Sequence, residues 1–391
     1  MTDAIQNRMR PLALAAGLGL ALACTPAAPP GAGERPLALV GVHVLAMQSE
    51  TILADQTLVV RNGRIEALGP RLAVAVPWNA TRVEGRGRFV LPGLVDMHAH
   101  VTSGRALREP LACGVTTLRN MRGDARHLAW RRELALGARL GPRLITAGPQ
   151  LAGQGEPAAD VVLVASAAEA RAAVRAQAEA GFDFVKVYEG LSREAHYAVL
   201  DEARARALPV AGHVSAAVGI YATLASGQAS IEHAEELTQG ASAARQDVTI
   251  AALVARARRS SSWICPTLGL HALFSPREDH AFRARLVAAL HRAGVGVLAG
   301  SDAASVGVAQ EVHALAQAGL GPYRALLAAT REAARFLGRG GEFGTISVGL
   351  AADLLLVERN PLDDLAALDE PAGVVVRGRW LDARQLRRLA H

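Results

Sequence analysis

Eight apolar runs of strand length alternate with alanine- and arginine-rich helical patterns between Leu91 and Gly338, and this alternation constrains the fold more than any other feature. Strands separated in this way by helices are typical of a parallel sheet. The runs are GLVDMHAH, VTTLRNM, RLITAG, FVKVY, PVAGHV, ASIEHAEE, WICPTLG and VGVLAGSDA. We therefore predict an α/β fold in which residues 91–340 form a (β/α)8 TIM barrel.

Short β patterns flank that region on both sides. Residues 37–90 contain alternating runs with turn signals at Asn62-Gly63 and at Gly85. Residues 341–391 return to the same character in GTISVGLAADLLLVERNPLDDL and GVVVRGRWLD. Because isolated short strands must find partners, we predict that residues 37–90 plus 341–391 pair into one small β-sandwich that is discontinuous in sequence.

The first two dozen residues have the pattern of an export signal. Arg8 and Arg10 precede PLALAAGLGLALAC, which is too short for a membrane span and ends in small residues. A run that ends at Cys24 resembles a bacterial lipoprotein signal, in which that cysteine is lipidated. We predict a signal peptide over residues 1–24, a flexible tether over residues 25–36 and an exported, periplasmic or cell-envelope protein. An ordinary cleaved signal and a buried helix are the alternatives.

The composition argues against two other classes of protein. The net charge is +6, but the arginines lie beside acids on helical patterns and aromatic residues make up only 4%, so we predict no binding to nucleic acid. No CxxC pair occurs, which excludes a cysteine-rich zinc site. Whether Cys113 and Cys265 form a disulfide is left open.

Lys186 is the only lysine in the chain, and every other basic residue among the 42 is arginine. Arginine stays protonated, whereas a lysine with a lowered pKa can react with a carbonyl group or with carbon dioxide. The pattern therefore indicates that the amine of Lys186 is needed for its chemistry. A Schiff-base lysine, an unmodified lysine in the site and a surface lysine are the alternatives.

Residues of metal-binding type stand at or near the C-terminal ends of five of the runs. Catalytic groups of a TIM barrel lie at that end of the strands, so these side chains are expected to converge. His98 and His100 are two residues apart and point to the same face of a strand, where they can hold one metal ion. The candidate ligands are His98, His100, Lys186, His213, His233 and Asp302.

These residue types fit a site with two cations. Neutral imidazoles and a carboxylate suit divalent metals such as zinc. Nearby cations favour the neutral amine of Lys186, which can add carbon dioxide and become a carbamate that bridges two metals. Asp302 is placed to hold a metal-activated water, accept its proton and pass it to the leaving group. We predict two divalent metal ions, zinc by preference, and carbon dioxide as cofactors.

The ordered motifs LPGLVDMHAH, CGVTTLRN, the FVKVY lysine, AGHV, IEHAEE and AGSDA, with the tail segment GTISVGLAADLLLVERNPLDDL, resemble the metal-dependent amidohydrolase superfamily. The similarity covers nearly everything from Leu37 to the C-terminus. It implies that carbamylated Lys186 bridges two metals, one held by His98, His100 and Asp302 and the other by His213 and His233.

Within the superfamily the chain looks most like the imidazolonepropionase-related amidohydrolases, which include prolidase-like, Xaa-Pro dipeptidase-type enzymes. Imidazolonepropionases usually lack the bridging lysine, so Lys186 favours the binuclear, peptidase-like branch. The sequence departs from many relatives at two places. Asn120 replaces an aspartate, and Ala234, Glu235 and Glu236 replace a glycine context after the sixth-run histidine. Neither departure removes a ligand.

These features predict hydrolysis of an amide in a dipeptide, an N-acyl-amino acid or a cyclic amide, by attack of metal-bound hydroxide. His271, just after the seventh run, is a candidate to orient substrate or stabilise the oxyanion. Tyr188, two residues after Lys186, is a candidate substrate contact. Arg119 and Arg122 are candidates to bind a substrate carboxylate.

Two other functions remain as alternatives. A lactonase or phosphotriesterase-like hydrolase would use the same machinery. A non-catalytic surface lipoprotein that binds metal or ligand would need the loss of a ligand or of the general base, and none is missing. The predicted partners are a small-molecule substrate and, through Cys24, a membrane, and a homo-oligomer is left open.

Overall fold

The computed structural model describes residues 35–238, 246–303 and 307–390. The predicted signal peptide with Cys24, and the predicted tether up to residue 34, lie outside the described residues. Over the ranges that are described, no helix is long and apolar enough to cross a membrane.

Strands and helices follow one another along these ranges in the order that the sequence leads one to expect. The strands are β1 (Leu37–Leu45), β2 (Ile52–Arg61), β3 (Arg64–Pro70), β4 (Thr81–Glu84), β5 (Phe89–Pro92), β6 (Leu94–Ala99), β7 (Val115–Asn120), β8 (Arg143–Thr146), β9 (Gln150–Ala152), β10 (Val161–Leu163), β11 (Val185–Val187), β12 (Val210–Gly212), β13 (Ser230–Glu232), β14 (Trp263–Cys265), β15 (Leu354–Val357), β16 (Gly373–Val376) and β17 (Arg379–Asp382). The α-helices are α1 (Gly104–Arg108), α2 (Ala125–Ala135), α3 (Ala167–Ala180), α4 (Arg193–Ala205), α5 (Ile220–Ser226), α6 (Ala234–Thr238), α7 (Gln246–Ala257), α8 (Leu268–Phe274), α9 (Arg277–Arg292), α10 (Val308–Leu315), α11 (Gly321–Ala328), α12 (Arg331–Phe336) and α13 (Ala383–Leu389).

Strands from both ends of the chain form one eight-stranded sheet in the order β17-β16-β15-β5-β1-β2-β3, with β4 also paired to β1. The two ends meet where β15 pairs antiparallel with β5. β2 runs along one edge of β1, and β4 and β5 share the other edge. A bulge at Gly41, with φ of 74°, separates these two partners. The bulge lets β1 pair with both, so strands from residues 37–92 and 354–382 belong to one connected sheet.

The strands that lie between β5 and β15 in the sequence are parallel and form two ladders, β6-β7-β8 and β10-β9-β11-β12-β13-β14. A bridge between Ala147 and Phe184 joins them. Seven of the eight predicted runs each contain one strand of these ladders. The sequence analysis did not predict β9 and β10.

The eighth predicted run, residues 295–303, is irregular. Leu298 N–H donates to Ile264 O at 2.8 Å on one side, and Met97 N–H donates to Ala299 O at 2.9 Å on the other. Ile264 N–H also donates to Gly296 O at 2.9 Å, and Asp302 N–H donates to His98 O at 2.7 Å, so the run connects the last strand, β14, with the first, β6, through two hydrogen bonds on each side. The described strands form a curled α/β sheet and not a continuous closed ladder.

Helix α3 begins and ends where the sequence supplies caps. The hydroxyl of Ser166 accepts from Glu169 N–H at the start of α3, and Gly181, with φ of 84°, ends that helix. The buried face of α3, with Ala170 and Val174, packs with α4 against β9, β11 and β12. This packing fixes the strands that carry Lys186 and lead to His213.

Candidate metal centre

Three of the predicted ligands meet at the end of β6. His98 Nε2 lies 3.2 Å and His100 Nε2 lies 3.0 Å from Asp302 Oδ1. One ligand atom from each of the three residues falls within 4.8 Å of the others. Two imidazoles and a carboxylate this close together can hold one divalent ion such as zinc.

Two further histidines extend this group into a row. The ring centroid of His233 lies 4.7 Å from that of His98 and 4.8 Å from that of His213. His233 Nδ1 also lies 3.7 Å from Asp302 Oδ2. Histidines contributed by β6, by the end of β12 and by the end of β13 therefore share one site, as the sequence predicts.

Lys186 is buried on β11, with 1% of its surface exposed. Loss of hydration lowers the pKa of its amine from 10.5 to about 8, although the negative charges of Glu232 and Asp302 oppose the change. Its charge in turn lowers the pKa of His213 and of His233, so it belongs to the same electrostatic cluster. At pH 7 about a tenth of such an amine is neutral, the form that can add carbon dioxide.

Glu232 fixes the orientation of His98. Its Oε2 lies 2.9 Å from His98 Nδ1, and both of its oxygens accept from Arg119 Nη2, at 2.9 and 3.0 Å. Burial alone would raise the pKa of Glu232, but the charge of Arg119 and the hydrogen bond from His98 hold it well below its usual range. An ionised Glu232 accepts a hydrogen bond from the Nδ1–H of His98. The proton is thereby kept on Nδ1, and Nε2 is free to bind metal.

The prediction that Arg119 binds a substrate carboxylate is wrong. The side chain is 1% exposed. Its Nε donates to Met97 O at 2.6 Å and its Nη1 donates to Ser230 Oγ at 3.0 Å, while Nη2 holds Glu232. Every nitrogen is used inside the fold, so none faces substrate.

The two glutamates after His233 serve two different histidines. Glu236 is buried on α6, and its Oε1 lies 2.7 Å from His213 Nδ1. Glu235 is partly exposed, and its Oε2 lies 3.0 Å from His271 Nδ1. Consecutive residues on a helix point about 100° apart, so one short helix can orient both rings. His233 itself is held through Nδ1 by Thr267 Oγ1 at 2.9 Å.

Asp96 fixes the spacing between His98 and Asp302. Its Oδ1 accepts from the N–H groups of His98 and Ser301, both at 3.0 Å, and its Oδ2 accepts from Ser301 Oγ at 2.5 Å. Gly300 brings the two segments together, since a Cβ at that position would lie 2.6 Å from His98 Cβ. The sequence analysis did not single out Asp96, although it stands within the LVDMHAH run.

The protonation states suit metal binding. Burial lowers the pKa of His100, His213 and His233, so these rings are neutral at pH 7. Burial would raise the pKa of Asp302, but the hydrogen bond from His100 and the nearby rings of His98 and His233 hold it far below its usual range. The strongest sign of a fit is His98 Nε2, which is buried without a hydrogen bond beside the Asp302 carboxylate. A nitrogen in that position is satisfied by a metal ion.

The two candidate substrate contacts border the row of histidines. The Tyr188 ring centroid lies 4.5 Å from that of His213, and the His271 ring centroid lies 6.2 Å from that of His233. His271 Nε2 is buried without a hydrogen bond. Arg122 pairs with Asp160 through Nε at 2.8 Å and remains 38% exposed. Cys113 and Cys265 are both free thiols.

Residues 89–381 match the Amidohydrolase family. The chain belongs to that family. This amidohydrolase is 30% identical over 338 residues to an uncharacterised protein of Mycobacterium tuberculosis, covering 75% of its own length and 85% of the relative. It is 26% identical to an imidazolonepropionase of Stenotrophomonas maltophilia, covering 86% and 92%. The structure of a candidate prolidase from Bifidobacterium longum superposes with a TM-score of 0.73 at 27% identity, covering 91% and 99%.

These similarities confirm the predicted resemblance to prolidase-like and imidazolonepropionase-related amidohydrolases. They support hydrolase activity for this chain. The groups of histidines and acids agree with the metal dependence that is typical of the family. The sequence analysis missed Glu232, Glu236 and Thr267 as partners of the histidines. The motif IEHAEE contains two of these three, but only the fold shows which ring each one reaches.

Proposed function

We propose that this amidohydrolase hydrolyses an amide bond of a small substrate and uses two divalent metal ions, zinc by preference. The observation that carries the proposal is His98, whose Nδ1 is engaged by Glu232 and whose buried Nε2 makes no hydrogen bond beside Asp302. A carboxylate that engages Nδ1 while Nε2 faces a second carboxylate and another histidine is the arrangement typical of a metal-bound histidine.

Two groups of residues would hold the metals. His98, His100 and Asp302 would hold one ion, and His213 and His233 the other, with the carbamate of Lys186 between them. When bound, the ions would polarise the substrate carbonyl and lower the pKa of a shared water. Lys186 supports this assignment because its low pKa provides the neutral amine that carbon dioxide requires.

Asp302 is the proposed general base and then general acid. It is ionised at neutral pH because His100 hydrogen-bonds to it and the ring of His98 lies beside it, so it can accept a proton from water. It is also 18% exposed, which lets it reach the substrate side of the site. After accepting the proton, its carboxyl group can donate it to the leaving nitrogen.

His271 and Tyr188 are the proposed substrate contacts. Glu235 accepts from His271 Nδ1, which fixes the ring and leaves Nε2 directed away from that carboxylate. Tyr188 packs against the His213 ring, so its phenol lies beside the site. Because Arg119 is enclosed, Arg122 is the remaining candidate for a substrate carboxylate. A dipeptide or an N-acyl-amino acid is the substrate class we favour, in line with the prolidase-like relative.

The test combines metal content with turnover. We expect two metals per chain by elemental analysis and hydrolysis of members of a mixed dipeptide and N-acyl-amino-acid library. Asp302→Asn should lose about 10²–10⁴ in turnover, the range for removal of a general base or acid. Turnover of lactones or phosphotriesters alone would favour the alternative hydrolases, and absence of metal after reconstitution would favour a binding protein.

We also propose the closed barrel, the domain division and the location that the sequence predicts. The hydrogen bonds from residues 295–303 to β14 and β6 support closure into a (β/α)8 barrel. The apolar run that ends at Cys24 supports export and lipid anchoring in the cell envelope. Elution of the purified protein on a calibrated column would report any homo-oligomer.

A further inference from the structure

The loop between β3 and β4 presents an uncharged surface to solvent. No acidic or basic residue occurs from Leu72 to Thr81, although 20% of the chain is charged. Leu72 is 88% exposed and Trp78 is 97% exposed, the two highest values among the large hydrophobic residues of the described ranges. A tryptophan that is almost wholly in water marks an interaction surface more often than an isolated aliphatic residue does.

The conformation of this loop is fixed by the sheet beneath it. Val74, Val76 and Ala80 pack against Val40 and Val59 of the sheet. Tight turns tie the loop at both ends, where Ala73 N–H donates to Pro70 O at 2.8 Å and Ala80 N–H donates to Pro77 O at 3.0 Å. Val74, Val76 and Ala80 therefore face the sheet, while Leu72 and Trp78 are exposed to solvent.

The loop lies where the described chain begins. Thr81 N–H donates to Pro36 O at 2.7 Å, and Thr81 is the register partner of Leu37 at the start of β1. Trp78 is thus three residues away from the point at which the preceding N-terminal segment joins the fold. Cys24 precedes this point by about a dozen residues, and a peptide of that length can reach at most about 40 Å.

We propose that the loop Leu72–Trp78 is a membrane-docking surface, with Trp78 and Leu72 inserted among the headgroups of a phospholipid bilayer. A lipid anchor at Cys24 would hold this face, more than any other part of the sheet, close to the bilayer. Tryptophan suits that depth because its ring is apolar and its N–H is polar. The proposal rests on the predicted anchor and is independent of the hydrolysed substrate.

The size of the surface favours a bilayer over a second copy of the chain. One exposed tryptophan contributes about 150–250 Å² of contact. A standard protein interface needs about 800 Å² from each partner. Of the arginines that flank the loop, Arg71 is partly exposed and paired with Asp55, and Arg82 is exposed and paired with Glu84, so the loop adds apolar contact without an unpaired buried charge.

Fluorescence quenching tests the position of Trp78. The full-length, lipidated protein would be reconstituted with vesicles of phosphatidylcholine and phosphatidylglycerol whose acyl chains carry bromine, which quenches nearby indoles. We expect strong quenching in the wild-type protein and its loss in Trp78→Phe. The other tryptophans, Trp130, Trp263 and Trp380, are partly buried and should stay unquenched in both.

A second measurement uses full-length Cys24→Ser protein, which lacks the lipidated cysteine. We expect Leu72→Ser combined with Trp78→Ser to weaken its sedimentation with vesicles by about tenfold. Leu136→Ser is the matched control, because Leu136 is 81% exposed at the end of α2 and should leave sedimentation unchanged. Equal quenching of wild type and Trp78→Phe would overturn the proposal. Concentration-dependent self-association that only the double variant loses would also overturn it, in favour of a second copy.

Discussion

Replacement of Lys186 by methionine should stabilise the metal-free protein at neutral pH. Lys186 is buried, and loss of hydration lowers its pKa from 10.5 to about 8. The difference between these two pKa values corresponds to about 3 kcal/mol of free energy of unfolding. Methionine has a similar length and no charge to bury, so Lys186→Met should raise the free energy of unfolding by up to that amount.

The effect should depend on pH in a defined direction. Between pH 8 and 10.5 the unfolded chain holds the lysine proton more strongly than the folded protein does, so stability rises with pH. Below pH 8 the destabilisation is present in full, and above 10.5 it is gone. The advantage of Lys186→Met should therefore be largest at neutral pH and should shrink towards about pH 10.

Urea unfolding of chelator-treated wild type and variant at about pH 7 and about pH 10 measures this difference. Lys186→Arg is the control. Arginine stays protonated at both pH values, so this variant should be less stable than Lys186→Met at both. An equal advantage of Lys186→Met at both pH values would refute the reasoning, since the buried ammonium would then not be its cause. With metal and carbon dioxide supplied, elemental analysis should show that Lys186→Met loses the second metal.

Four further results are expected. Glu236→Gln keeps an acceptor for His213 but removes its charge, so metal affinity measured by chelator competition should fall by about 10–100-fold with little change in melting temperature. Glu232→Gln leaves Arg119 buried without its counter-ion and should cost about 3–5 kcal/mol in urea unfolding. Gly300→Ala forces a Cβ against His98 and should cost about 1–3 kcal/mol, read as a lower melting temperature. Because burial lowers the pKa of His213 and His233, metal content should stay constant down to about pH 6, and loss of metal at higher pH would contradict this.

The sequence predicts the polar residues of the centre because each stands at the end of an apolar run. The carboxyl ends of parallel strands lie at the same edge of a sheet, so residues at those ends come together. The structure accordingly places in one group His98, His100, His213, His233 and Asp302. The pattern also predicts the strands that hold them. It could not predict the single eight-stranded sheet, since that depends on a bulge at Gly41 and on pairing between distant segments.

The partners of the histidines could not be found from sequence for a related reason. Side chains along a strand point alternately to its two faces. The position of Glu232 in β13 does not show which face is buried, so the sequence cannot distinguish a carboxylate bound to Arg119 from one that faces outward. Arg119 was a candidate substrate contact because it lies near the end of a run, yet its side chain turns into the interior of the fold and binds Glu232. Strand ends predict which residues approach the site, while the rotamer and the neighbouring strand decide which of them reach it.

Backbone strain connects the fold with the proposed chemistry. His233, Thr267 and Asp302 have φ of 65°, 49° and 60°, a left-handed conformation that costs residues other than glycine about 1 kcal/mol or more each. All three stand just after the strands or the run that lead to the site, and they contact one another through His233, which reaches Thr267 at 2.9 Å and Asp302 at 3.7 Å. An ordinary extended residue at any of these positions would continue along the strand direction. The turn instead directs the side chain towards the site, so the strain lies where the residues of the candidate metal centre meet. A metal centre requires that arrangement and a packed core does not.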